Sequence, residues 1–220
     1  MVKVERSFPA PVSLEAEKRK VAGTYRTEEV IQRLRKDFHD KCYICEMNHL
    51  QNPEIEHRLP HHNGKDRDRE FDWNNLFWAC ADCNKAKNKQ KYEEGIIDCC
   101  KVDPEQLLFL CYEENGVFAR KKTDTDDILI NNTESLINEV FNKNNRGMRN
   151  IRSQERYRAL QVEMNTFYRL LSKYDDPEST KDVYINLQEA LDRKSAFAQI
   201  KRDYIRMHID HYPGLSSILA

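Results

Sequence analysis

A chain of 220 residues has room for one domain or two modest ones, since domains commonly run ~100–200 residues. Charged residues make up 33% and the hydrophobic set 39%, a balance that suits a helix-rich protein with a solvated surface. The formal net charge of −1 gives the whole molecule no pull on polyanions, so any nucleic-acid contact must come from local basic patches.

No apolar run approaches the ~20 residues a membrane-spanning helix needs, and Met1–Arg6 contains no apolar signal core. The expectation is therefore a cytoplasmic protein without membrane contact. In such a compartment Cys-x-x-Cys pairs read as metal ligands more readily than as disulfides.

Residues 1–12 carry Pro9 and Pro11 and read as an extended arm, followed by a short helix through Lys20 that Ser13 would cap. Thr27, with Glu28 and Glu29 behind it, starts a second helix on which Val30, Ile31, Leu34 and Phe38 recur at helical spacing. Short strands are expected between Pro53 and Leu59 and between Leu76 and Cys80, then a helix over Ala81–Tyr92. Leu107–Tyr112 and Val117–Lys121 flank Asn115-Gly116, a hairpin signal. From Thr133 the pattern is helical. Leu160, Met164, Phe167, Tyr168 and Leu171 share one face of a long helix, and Asp176-Pro177 offers the start of another bearing Val183, Leu187, Leu191, Phe197, Ile200 and Tyr204.

The expected fold class is α+β, mostly α. An arm and short helix (1–23) precede a domain that holds the Cys-x-x-Cys pairs (24–122) and ends in the small β-hairpin, and a helical domain (123–220) follows as a candidate for partner docking, with Tyr204 and Tyr212 as its aromatic contacts.

Cys42-x-x-Cys45 and Cys80-x-x-Cys83 have the spacing of two knuckles that close on one tetrahedral ion. Four thiolates favour a structural Zn²⁺, because a catalytic zinc keeps one position open for water. A thioredoxin-like redox site would need one pair at a helix start in a βαβ setting, which neither pair has. Cys99, Cys100 and Cys111 read as small buried hydrophobes.

Between the knuckles stand Ile55-Glu56-His57-Arg58-Leu59-Pro60 and Asp72-Trp73-Asn74-Asn75-Leu76, and Cys83-Asn84-Lys85 closes the second knuckle. This order resembles the HNH, or ββα-metal, nucleases: an acid-His pair on the first strand, an Asn-Leu before the second, and a His or Asn directly after the last cysteine. The likeness spans Cys42 to Lys91. It implies a ββα-metal core in which His57 is the general base, Glu56 and Asn84 hold a catalytic Mg²⁺ or Mn²⁺, and Asn75 pins the intervening loop. It also implies hydrolysis of nucleic-acid phosphodiesters by water, leaving 5′-phosphate and 3′-hydroxyl ends; DNA is the favoured substrate, and RNA stays open. Here the acid is Glu where Asp is commoner, and the final position is Asn where His is commoner. Neighbouring strand residues point to opposite faces, so bringing Glu56 and His57 to one site calls for a twisted or bulged strand.

Candidate nucleic-acid contacts are Arg58, Lys85, Lys87, Arg149 and Arg152. Lys85, Lys87, Lys89 and Lys91 alternate along the segment behind the metal site, where a solvated helix is the competing explanation. A second basic stretch over Lys143–Arg158 suits a phosphate backbone or an acidic protein surface, with a plain solvent face as the favoured competing explanation.

The Val4-Glu5-Arg6 arm, the Lys41–Glu46 knuckle, Asp103-Pro104-Glu105 and the helical tail further resemble the PtuB group, HNH subunits of Septu-type anti-phage defence. That likeness implies a regulating ABC- or SMC-like ATPase partner of the PtuA type. The alternatives are a zinc-stabilised nucleic-acid-binding module without catalysis and a nuclease that cuts RNA such as tRNA.

Overall fold

A computed structural model describes residues 1–88, 90–113, 116–142, 151–176, 178 and 180–219, with the backbone alone at 151–153. The chain is α+β and about half helical. Two helices, α1 (Val12–Lys18) and α2 (Glu28–Asp37), lead to the first cysteine knuckle. Strand β1 (Pro53–His57), a four-residue helix α3 (Arg67–Glu70), strand β2 (Leu76–Cys80) and helix α4 (Ala81–Lys87) follow. A hairpin of β3 (Leu108–Glu113) and β4 (Gly116–Lys121) precedes helices α5 (Ile128–Asn142), α6 (Ile151–Tyr174), α7 (Lys181–Leu191) and α8 (Ala198–Met207). Among the described residues no helix is long and apolar enough to cross a membrane.

Helix α2 starts where its sequence dictates: the Thr27 side chain accepts the Val30 amide, with Glu28 and Glu29 in the positive first turn and Arg35 and Lys36 in the last. Its Val30 and Leu34 are buried. Helix α1 departs from expectation, because Pro11 and not Ser13 occupies its cap position. The carboxylate of Glu29 accepts the amides of Val12 and Ser13, so the cap comes from α2, and the Ser13 hydroxyl bonds Thr27 instead.

Strands β1 and β2 pair antiparallel in unbroken register, Glu56 opposite Phe77 and His57 opposite Leu76. No bulge interrupts this pairing between Pro53 and His57. Helix α4 stops at Lys87, and a 3₁₀ turn over Gln90–Tyr92 replaces the continuous helix that the sequence suggested. Likewise α7 begins at Lys181 behind Thr180, later than Asp176-Pro177; Pro177 itself lies outside the described residues, as do Lys89 and Asn115.

Two apolar cores result. The first gathers the arm (Met1, Val4), Leu14 of α1, α2, both knuckles and the β1–β2 pair. The second joins the β3–β4 hairpin to the C-terminal helices, including the expected stripe Leu160, Met164, Phe167 and Leu171. Helix α5 serves both, giving Leu136 and Val140 to the first and Ile137 to the second. The arm carries structural weight: Arg6 donates to the carbonyls of Trp73 and Leu76 and lies over the Trp73 and Phe77 rings, fixing the entry to β2. Tyr212, expected as an exposed docking aromatic, is buried, and Tyr204 is half-buried and stacked on His208.

Candidate functional site

Each knuckle is a product of local backbone geometry. The Cys42 amide bonds the Met47 carbonyl, the Glu46 amide returns to Cys42, and the Tyr43 amide ties the turn to Trp78 on β2. In the second, Cys80 ends β2 and caps α4, its sulfur accepting the Cys83 amide at 3.4 Å. All four sulfurs are buried and lie within 4.8 Å of one another. A tetrahedral zinc with bonds of ~2.3 Å needs sulfurs about 3.8 Å apart, so this cluster can hold a metal ion such as zinc. Burial pushes the Cys42 and Cys83 thiols up, whereas hydrogen bonding from the other three cysteines holds the Cys80 thiol far down. A thiolate already favoured inside the cluster fits a metal ligand.

Four thiolates on Zn²⁺ leave a formal charge of about −2. The cation that faces them is Arg156 of α6, 1% exposed, which donates to the Val140 carbonyl at 2.6 Å and pairs with Asp82. Burial disfavours its charge, but Cys83, Cys45, Cys80 and Asp82 outweigh burial and hold the guanidinium's pKa up. The sequence suggested a solvent- or phosphate-facing role for the basic stretch containing Arg156; its place is the interior, beside the cysteines.

A second centre lies at the end of β1. There a cavity of about 700 Å³ is lined by Tyr25, Glu56, His57, His61, Asn84 and Lys87, among others. It wraps the strand end, so Glu56 and His57 both line it without a bulge. His57 Nε2 lies 3.0 Å from the Glu70 carbonyl. A carbonyl only accepts, so Nε2 carries the hydrogen and Nδ1 keeps its lone pair. The ring is walled by Tyr25, edge-on at 4.6 Å between centroids, and by His61 at 4.3 Å. Burial pushes the His57 pKa down to about 4, with further lowering from His61, Lys87 and Arg26 and an opposing pull from the Glu70 carbonyl.

Glu56 is 1% exposed and gripped at both oxygens. The Tyr43 hydroxyl donates to Oε2 at 2.5 Å, and the Lys87 ammonium stands 2.6 Å from Oε1. Lys87 also donates to the His57 carbonyl at 2.9 Å. Asn84 donates to Glu54 at 2.6 Å and accepts from Asn88 at 3.0 Å. Asn75 is buried beneath the loop after β1: its Oδ1 accepts the Leu59 amide at 2.8 Å, while Nδ2 donates to the carbonyls of Leu59 and Arg69 at 2.9 and 3.0 Å.

Glu56, His57 and Asn84 thus share one cavity, with Asn75 holding the loop beside it. The proposed nucleic-acid contacts do not share one surface. Lys85 is exposed, but Lys87 is 3% exposed and turned inward, a correction forced by its ion pair with Glu56. Arg58 is directed into the fold, donating to the Ile96 carbonyl at 3.0 Å with Asp98 at 3.8 Å. Arg149 and the Arg152 side chain lie outside the described residues. Sequence reasoning missed Tyr25, whose segment carries no motif, and Tyr43, whose only signal is its place between the two cysteines of the first knuckle.

No protein-family model, curated protein or solved structure matches this chain.

Proposed function

We propose that the chain is a metal-dependent HNH endonuclease that hydrolyses nucleic-acid phosphodiester bonds, DNA in preference to RNA, and that the four-cysteine cluster carries a structural zinc. The observation that supports this best is the convergence of His57, Glu56 and Asn84 on one cavity, with His57 oriented through Nε2 so that Nδ1 is its free nitrogen.

In this reading His57 Nδ1 takes a proton from the attacking water. Burial keeps the ring unprotonated at neutral pH, which leaves it available as the acceptor. The Glu56 carboxylate and the Asn84 amide oxygen are hard donors suited to Mg²⁺ or Mn²⁺. That cation, when bound, supplies charge neutralisation for the phosphate and the departing oxygen. A cation already rests against Glu56 Oε1 in the form of Lys87, so the carboxylate stands in a place that accommodates positive charge. Tyr25 and His61 hold the imidazole plane, and Asn75 fixes the loop whose Glu70 carbonyl sets the tautomer.

The ABC- or SMC-like ATPase that the resemblance implies is proposed as the regulating partner, in an anti-phage complex of the Septu kind. A competing reading, a zinc-stabilised binding module without catalysis, draws on the full engagement of Glu56 by Tyr43 and Lys87.

Plasmid DNA and RNA incubated with Mg²⁺ or Mn²⁺, with and without an ATPase partner, separate the two. Cleavage that disappears in His57→Ala, at unchanged zinc content, supports the nuclease. Binding to nucleic acid with equally negligible cutting by wild type and His57→Ala under every condition supports the module.

A further inference from the structure

We propose that Lys87 is the resident cation of the cavity: it occupies Glu56 in the free protein, and a divalent metal enters only when a nucleic-acid phosphate draws the ammonium away. The inference rests on the nuclease reading above and adds an order of binding to it.

The pair is buried on both sides, with side-chain exposures of 3% for Lys87 and 1% for Glu56. Buried charges of this kind are kept by pairing, and removal of either leaves the other uncompensated. Together they bring no net charge to the wall of the cavity. Asn84 adds a neutral amide, and Arg26 shares the lining with its guanidinium over the Tyr25 ring. The other carboxylate on the lining, Glu93, stands 3.9 Å from His62. A dication meeting this wall finds one carboxylate already neutralised and an ammonium within bonding distance of the same oxygen. Such a site binds Mg²⁺ weakly, because Mg²⁺ gives up water reluctantly and takes carboxylates together with substrate phosphates.

Three features show how the ammonium can leave. Oε1 accepts no well-directed hydrogen bond among the described residues, so proximity of charge holds the ammonium there. Its second anchor is a neutral carbonyl, that of His57. The lysine stem is flexible, and Lys87 is the last residue of α4, so the ammonium can swing without moving the helix. A phosphodiester brings a second anionic partner for the ammonium: Lys87 transfers from Glu56 to a phosphate oxygen, and Glu56 Oε1 is freed while its Oε2 stays oriented by Tyr43. Lys87 is then a positioning residue that couples metal entry to substrate.

The test is Mn²⁺ titration followed by electron paramagnetic resonance, on the full zinc-loaded chain, with and without uncleavable phosphorothioate DNA and RNA duplexes. Wild type is expected to bind Mn²⁺ about tenfold or more tighter when one duplex is present, a coupling of ordinary size. Lys87→Met is expected to bind Mn²⁺ about tenfold or more tighter than wild type in the absence of nucleic acid, and to gain less from adding it. Equal Mn²⁺ affinity in wild type and Lys87→Met, with zinc retained and circular dichroism unchanged, overturns the proposal. If Lys87→Met does not fold, the wild type decides alone, and an affinity indifferent to both duplexes overturns it. Failure of the nuclease reading has another signature: no Mn²⁺ bound by either protein under any condition, and no cleavage.

Discussion

Asn75→Ala removes three hydrogen bonds in one step and tests whether the loop between the strands is pinned by a single side chain. Two of the bonds run in opposite senses to Leu59, and the third reaches Arg69. Each is worth about 1 kcal/mol net, so the variant should lose about 3 kcal/mol, and more if water cannot reach the stranded Leu59 amide. The loop also carries Glu70, whose carbonyl orients His57, so loosening it releases the imidazole. Urea denaturation gives the free energy, and hydrogen exchange should show faster exchange at the Leu59 amide. Zinc content should stay constant, because the four cysteines lie outside the loop. Asn75→Asp keeps the acceptor for Leu59 but faces two carbonyls with an oxygen, so it should cost at least as much as alanine. A loss below about 0.5 kcal/mol in Asn75→Ala, the range of an ordinary surface change, would refute the reasoning.

Other outcomes follow from the same geometry. Arg156→Met should lose about 1–3 kcal/mol, because it leaves the Val140 carbonyl unpaired and removes the buried cation beside the cysteines, and should speed zinc release to a chromogenic chelator, with Arg156→Lys intermediate. Zinc withdrawal should unfold the first core in a cooperative step visible in Trp73 and Trp78 fluorescence, since both rings pack in that core with the cysteines. Glu105 sets an acid limit. Burial works to raise its pKa, but Arg202 and Arg206 outweigh burial and hold it below the usual carboxylate value of 4.5. Its stabilising contribution is therefore complete above pH ~4.5 and fades as pH falls through the lowered value; the stability of Glu105→Gln, measured by denaturation from pH 6 to 3, should depend less steeply on pH.

Local signals in the sequence located much of the fold. Thr27 capped its helix because a hydroxyl three residues ahead of a free amide suffices, and β1, β2 and the hairpin fell where apolar runs met turn residues. The failures concern charges whose partners lie far along the chain. Lys87 reads as one tooth of an exposed lysine comb until Glu56 is placed beside it, and Arg156 reads as surface until α6 packs against the cysteines. Ser13 lost its cap role to a carboxylate from the next helix, another contact that no window of neighbouring residues contains. Motif order singled out His57, Glu56 and Asn84, but not the Tyr43 and Tyr25 side chains that hold the acid and wall the imidazole.

Helix α5 has a consequence for how this molecule can be divided. Its Asn138 and Asn142 bond both the amide and the carbonyl of Ala119 and of Val117, while Asn132 and Thr133 hold Gly95 and Ile97 on the other side. A polypeptide ended at residue 122 would leave the first core without Leu136 and Val140 and the cysteine cluster without Arg156. The seam expected after the β-hairpin is therefore no place to cut: gene fusion, shuffling or recombination at that point would separate the half that holds the cysteine cluster from the residues that finish its interior.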